Sequence, residues 1–172
     1  HKYLLQDLPN ATLYYPRVDT LQLEECVNAY NKQIRELLKE TEHGKFDLVA
    51  MKMGEFCQIL GLYPPVSQSS MKPDEEHIIV KTQTDKRPIS DRITLTLDAL
   101  ENKCNHIVML LNKTSKHVFW DKLIPALEDK EQLESDGAHF SSSILEQYPV
   151  ANLLLKKNLT VVYEDRDTLS LA

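Results

Sequence analysis

Six histidines and three cysteines are the side chains of this chain best suited to acid–base, nucleophilic or metal chemistry, so their spacing decides what they could do together. His43 falls in a helix-terminal turn, His77 and His106 at strand starts, His117 on a helix and His139 in a connector, with no pair at the i, i+4 spacing of metal ligands. No metal site and no cofactor site is expected. Cys26, Cys57 and Cys104 are odd in number and widely separated, which fits neither a disulfide framework nor a zinc ligand set and reads as reduced thiols. A nucleophilic Cys57 would need a neighbouring base in an electropositive setting, and the residues around it supply none. Read from its neighbours alone, Arg92 can pair with Asp91 or Asp98. Lys116 follows Ser115 at the start of a helical segment, where the helix end attracts anions, or is a plain surface lysine. Trp120 and Phe119 read as core packing.

The elements that must position these groups follow from composition and periodicity. The chain has 172 residues, 42% of them hydrophobic, which is enough for one domain with a sizeable core. With 20 Lys and Arg against 26 Asp and Glu the net charge is −6, and the cations are interspersed with acids, so non-specific nucleic-acid binding is excluded. The longest apolar runs, such as Ile107 to Leu111, are too short to span a bilayer, and His1-Lys2-Tyr3 does not open a signal peptide. A cytoplasmic protein with no membrane partner is expected, although three short sequons at Asn10, Asn112 and Asn158 point the other way.

Apolar residues at helical spacing from Leu23 to Leu38 predict an amphipathic helix over about Leu21 to Thr41, with Asp19 and Gln22 resembling a capping box. Phe46 to Met51, behind Gly44, predicts a strand buried on both faces. Glu55 to Leu62 predicts one or two helical turns, stopped by Tyr63-Pro64-Pro65. Val66 to Asp74 reads as a polar loop, His77 to Val80 as a strand, and Gln83 to Asp91 as a loop carrying Lys86-Arg87-Pro88. Then come an extended Arg92 to Thr96, a short helix to Lys103 and a strong strand from His106 to Leu111. Ser115 is expected to cap a helix that Pro125 distorts or ends. Glu128 to His139 reads as an acidic connector, Ser142 to Gln147 as a helix and Leu159 to Tyr163 as a last strand. Strands alternating with helices predict an α/β class: a three-layer domain with a mainly parallel sheet.

In order, Leu23 to Leu38, Phe46-Asp47-Leu48-Val49, Gly54 to Leu62-Tyr63-Pro64, and Arg92-Ile93-Thr94-Leu95-Thr96 with its following helix and strand resemble the glucosamine-6-phosphate isomerase and 6-phosphogluconolactonase family, the lactonase branch more closely. His1 to Leu5 is similar to the segment after that family's Ser-Asn signature. The resemblance covers about Lys2 to Leu169, so residues 1–172 are expected to form a single 6-phosphogluconolactonase-like domain, its C-terminal two thirds. The family's opening strand and Gly-Gly-Ser-Thr-Pro phosphate loop have no counterpart, which implies a longer polypeptide.

Gly54 to Pro64 stands where the family has Gly-x-Asp-Gly-His-Thr-x-x-Leu-Phe-Pro. This puts Phe56 at the Asp position, Cys57 at the Gly and Gln58 at the His, the family's general base. Gln58 has no basic lone pair near neutral pH, so it is either a ligand contact or a plain loop residue, and Phe56 is expected to fill space and close or repurpose the cleft. The resemblance places Arg92 at the substrate pocket and Lys116 after a Gly-rich turn that this chain lacks, giving Arg92, Lys116 and Gln58 as substrate-binding candidates. It implies a phosphorylated sugar lactone or related sugar phosphate as ligand. One reading is a pseudoenzyme that binds sugar phosphates or supports a fused or associated partner. The alternative is an active 6-phosphogluconolactonase of the oxidative pentose phosphate pathway, either alone or as part of a bifunctional glucose-6-phosphate dehydrogenase.

Overall fold

A computed structural model describes residues 10–66, 76–125, 133–134, 139–140, 142–154 and 158–163. The segment His1 to Leu5, nearly all of the Val66 to Asp74 loop and most of the acidic connector lie outside the described residues. The elements in chain order are α1 (Leu23–Glu40), β1 (Phe46–Met53), β2 (Ile79–Gln83), β3 (Asp91–Leu95), α2 (Leu97–Asn102), β4 (Cys104–Leu111), α3 (Lys113–Val118), a wider π-helical turn (Phe119–Leu123), β5 (Leu133–Glu134), β6 (His139–Phe140), α4 (Ser142–Gln147), α5 (Ala151–Leu154) and β7 (Leu159–Tyr163).

The predicted helix forms within two residues of its expected ends and buries Cys26, Val27, Asn31, Ile34 and Leu38 along one stripe. Its capping differs from expectation. The helix starts at Leu23, so Gln22 is the N-cap and makes no side-chain cap bond, while Asp19 pairs with Arg17 at 3.7 Å. Glu24 and Glu25 in the first turn complement the helix's positive end instead. Asn31, midway along, fastens the helix to the strand it covers: Nδ2 donates to the Glu76 carbonyl at 2.7 Å, and Oδ1 accepts the N–H groups of Ile78 and Ile79 at 2.9 and 3.0 Å.

β1, β4 and β7 form a parallel sheet with β4 in the middle, aligned so that Met53, Leu111 and Tyr163 lie side by side at its carboxyl end. On one face Met51, Met53, Ile107, Met109 and Leu111 pack with Leu97, Leu100, Phe119, Leu123, Val150 and Leu153 into the main core. Burying each such side chain stabilises the fold by roughly 1.5–3 kcal/mol before entropy is counted. The opposite face corrects the expectation of burial on both sides. There Leu48, Leu110 and Val162 are 59%, 47% and 43% exposed, so β1 alternates where a covered parallel strand would be buried throughout. Trp120 likewise lies outside the core, exposed and edge-on to Phe119 and Tyr163, while Phe119 is buried.

β2 and β3 pair antiparallel in a separate ribbon rather than joining the parallel sheet. Their connection, Thr84 to Ser90, is too short for the crossover that parallel pairing needs. Within the acidic connector β5 and β6 make another short antiparallel pair. Near Pro125, which has no N–H to donate, the helix widens: the Ile124 N–H reaches back to the Phe119 carbonyl, five residues earlier.

Candidate functional site

The strands β1 and β4 end together, and their carboxyl ends release the two segments that build a cleft of about 510 Å³. In parallel α/β sheets ligands bind at this edge, because the connecting loops and helix starts converge there. Lys52, Gly54, Glu55, Gln58 and Leu60 line the cleft from the β1 side, Asn112 from the end of β4, and Arg87 from the β2–β3 connection.

The loop after β1 is not the helical stretch expected from Glu55 to Leu62. Ile59 instead pairs with both Met53 and Leu62, folding the chain back twice, and Ile59 and Leu62 are fully buried. Burial of these apolar residues outweighs the local helical preference. Cys57 and Leu60 take positive φ values of 59° and 53°, which L-residues seldom adopt and which cost of order 1 kcal/mol each. Gln58 is only 8% exposed. Its Oε1 accepts the Phe56 N–H at 2.9 Å, its carbonyl accepts the Gly54 N–H at 2.9 Å, and its amide lies against Gly54 where a β-carbon would stand. The loop is fastened to the ribbon through Gly61, whose N–H donates to Thr94 Oγ1 at 3.1 Å and whose carbonyl accepts from Thr82 Oγ1 at 2.7 Å.

Of the three candidate binding residues, the structure brings Gln58 to the cleft. Arg92 is not among the residues lining it. It sits on β3 opposite Thr82, with Cβ close behind Gly61 and Nη1 donating to the Asp91 carbonyl at 2.9 Å. The Asp91 carboxylate is engaged by Lys81 at 3.7 Å and Gln83 at 2.9 Å. Lys116 belongs to α3, the helix that follows Asn112, and its side chain is outside the described residues. Ser115 does not cap this helix alone. Asn112 Oδ1 accepts the Ser115 N–H at 2.8 Å while Ser115 Oγ accepts the Asn112 N–H at 2.8 Å, a reciprocal capping box in which Asn112 is the N-cap.

Phe56 does not fill the cleft as expected. It lies on the rim, exposed, with the Arg87 guanidinium carbon 5.3 Å from its ring centre. Lys52, Glu55, Arg87 and Asn112 were not singled out by sequence spacing. A Lys-x-Gly-Glu run across the end of a strand and an Arg-Pro in a later loop are the signals that could have found them.

No described histidine lines the cleft. His106 bonds Thr160 at 3.0 Å and His117 faces Asp121 at 3.6 Å. Burial pushes the Cys57 thiol above its ordinary pKa, with Lys122 pulling part of the way back, so it stays protonated at neutral pH rather than acting as a thiolate. Cys26, Cys57 and Cys104 are free and buried. Among the described residues no group of three His, Cys, Asp or Glu side chains could hold a metal ion, and no helix is long and apolar enough to cross a membrane.

The described residues thus form an α/β domain whose parallel sheet carries a polar cleft at its carboxyl edge, bounded by a tight loop after the first strand and a capped helix after the second. Residues 1–141 match the family model of glucosamine-6-phosphate isomerases/6-phosphogluconolactonase, and the chain belongs to that family. A probable 6-phosphogluconolactonase of Dictyostelium discoideum is 31% identical over 104 residues, 60% of this chain and 42% of that protein. The 6-phosphogluconolactonase from Plasmodium vivax has 25% identity and a TM-score of 0.67 over 94% of this chain and 59% of its own. A 6-phosphogluconolactonase from Shewanella baltica shares the fold at 18% identity and a TM-score of 0.53, over 81% of this chain and 52% of its own. The chain thus spans about half the length of these relatives.

Proposed function

We propose that this 6-phosphogluconolactonase-like domain binds a sugar phosphate without hydrolysing a lactone. The observation that carries this reading is the environment of Gln58. Cys57, at the place the family pattern gives to Gly, holds a φ of 59° that glycine adopts freely, which supports aligning Gln58 with the family's His. The Gln58 carboxamide oxygen accepts the Phe56 N–H, and an amide cannot take a proton from water near neutral pH. Arg92 and Lys116 remain substrate-binding candidates in this reading, Arg92 behind the loop and Lys116 on the helix at the cleft's edge.

The same proposal treats residues 1–172 as part of one domain whose remaining portion covers the exposed face at Leu48, Leu110 and Val162. A fused or associated glucose-6-phosphate dehydrogenase is the partner it would support. Three free, buried thiols favour a cytoplasmic setting.

The open cleft, unfilled by Phe56, favours a second reading: an active lactonase of the oxidative pentose phosphate pathway. Full-length protein assayed for hydrolysis of 6-phosphogluconolactone, corrected for the spontaneous rate, separates the two. Background turnover with retained binding of 6-phosphogluconate supports the non-catalytic reading; turnover well above background overturns it.

A further inference from the structure

Arg87 makes a ring of contacts across the mouth of the cleft. Nη2 donates to Glu55 Oε1 at 2.9 Å, Nε donates to Tyr63 Oη at 3.4 Å, and the guanidinium lies over Phe56. Glu55, Phe56 and Tyr63 come from the loop after β1, so one side chain from the β2–β3 connection ties two loops together. Those bonds occupy two of the five guanidinium donors, and Arg87 also lines the cleft beside Lys52. The aromatic platform and the Tyr63 bond hold the cation in place before any ligand arrives.

Glu55 is a poor permanent partner. Both members of the pair are part-exposed, at 39% and 42% of their side-chain surface, and water screens such ion pairs so that they add little to stability. A phosphate oxyanion can offer the same guanidinium two parallel bonds with greater charge. The geometry points to Arg87 as the anion-gripping residue of this cleft, with Glu55 as a resident counterion that an anionic ligand displaces. This rests on the sugar-phosphate-binding reading above and deepens it. Lys52, on the β1 side of the cleft, adds a second positive charge, while Glu55 weakens binding by its charge and by occupying one donor.

Full-length protein titrated calorimetrically with inorganic phosphate and with 6-phosphogluconate at fixed ionic strength tests this, with melting curves checking that each variant is folded. Glu55→Gln is expected to tighten binding by about 3–10-fold. Arg87→Met should weaken it at least about 10-fold, and Arg87→Lys, which keeps the charge but not the fork, should fall between. If wild-type protein binds 6-phosphogluconate and Glu55→Gln leaves the affinity unchanged, the counterion role is wrong while the binding reading stands. Loss of binding in Arg92→Met with Arg87→Met unaffected also overturns it. No binding by wild type with binding by Glu55→Gln supports the inference, and no binding by either overturns both readings.

Discussion

The carboxamide oxygen of Gln58 accepts the backbone N–H of Phe56 at 2.9 Å, so this side chain is built into the scaffolding of the loop after β1. The same amide packs on Gly54, which makes the absence of a β-carbon at that glycine a condition for the loop's shape. Two consequences are measurable.

Gly54→Ala places a methyl group in the space held by the Gln58 amide and expels it. Losing the bond to Phe56 and exposing the pocket beneath should cost about 1–2 kcal/mol, read as a drop in the urea midpoint. The double variant Gly54→Ala/Gln58→Ala removes the collision and should be less destabilised than the two single changes summed. Simple additivity would show that the two residues are not coupled.

In Gln58→His the neutral imidazole carries one basic nitrogen, which is free to take a proton from water only when the bond from the Phe56 N–H is given up. Full-length Gln58→His should gain lactone hydrolysis of about 100-fold over wild type. Because a base works only when unprotonated, the rate should rise with pH through an apparent pKa near ~6.5. A folded but silent variant would mean that the cleft lacks more than its base.

Asn31 satisfies two strand N–H groups and a carbonyl from inside a helix stripe that is otherwise apolar. Asn31→Ala leaves the buried N–H groups of Ile78 and Ile79 without this acceptor and should cost about 2–4 kcal/mol. Hydrogen exchange should show the Ile78 and Ile79 amides losing protection first. Unchanged protection there would assign the hold on β2 to the apolar contacts of Ile34 and Leu38 alone.

Burial pushes the Cys104 thiol up to about 11, and its Sγ donates to the Ala99 carbonyl at 3.4 Å. In the unfolded chain the thiol ionises near 9, so the folded state disfavours the thiolate and stability is level below that pH. Stability then falls as pH rises from about 9 to about 11, by up to about 2–3 kcal/mol. Cys104→Ala should flatten this part of the curve relative to wild type. An equally steep decline in the variant would assign the alkaline loss to other groups.

Much of the architecture was legible locally. Leu23 to Leu38 repeats its apolar residues at the helical period, and the strands at Phe46, His106 and Leu159 are short apolar runs bounded by breakers, so elements and parallel class follow from nearest-neighbour physics. Burial and capping override local preference at two places. The residues around Ile59 tolerate a helical turn, but its pairing with Met53 and Leu62 buries it completely. Ser115 has a capping side chain, whereas Asn112 at the strand's end is the N-cap.

The amino-acid sequence by itself determined the α/β class and the family, since both depend on residue identity and short-range spacing. Tertiary structure alone decided that Arg87 rather than Arg92 lines the cleft, that Phe56 supports a cation on its rim, and that one sheet face is exposed. Glu55 and Arg87 are 32 residues apart, and no local period relates them. They meet because the loop after β1 and the antiparallel ribbon are bonded through Gly61, a contact that only the folded chain creates.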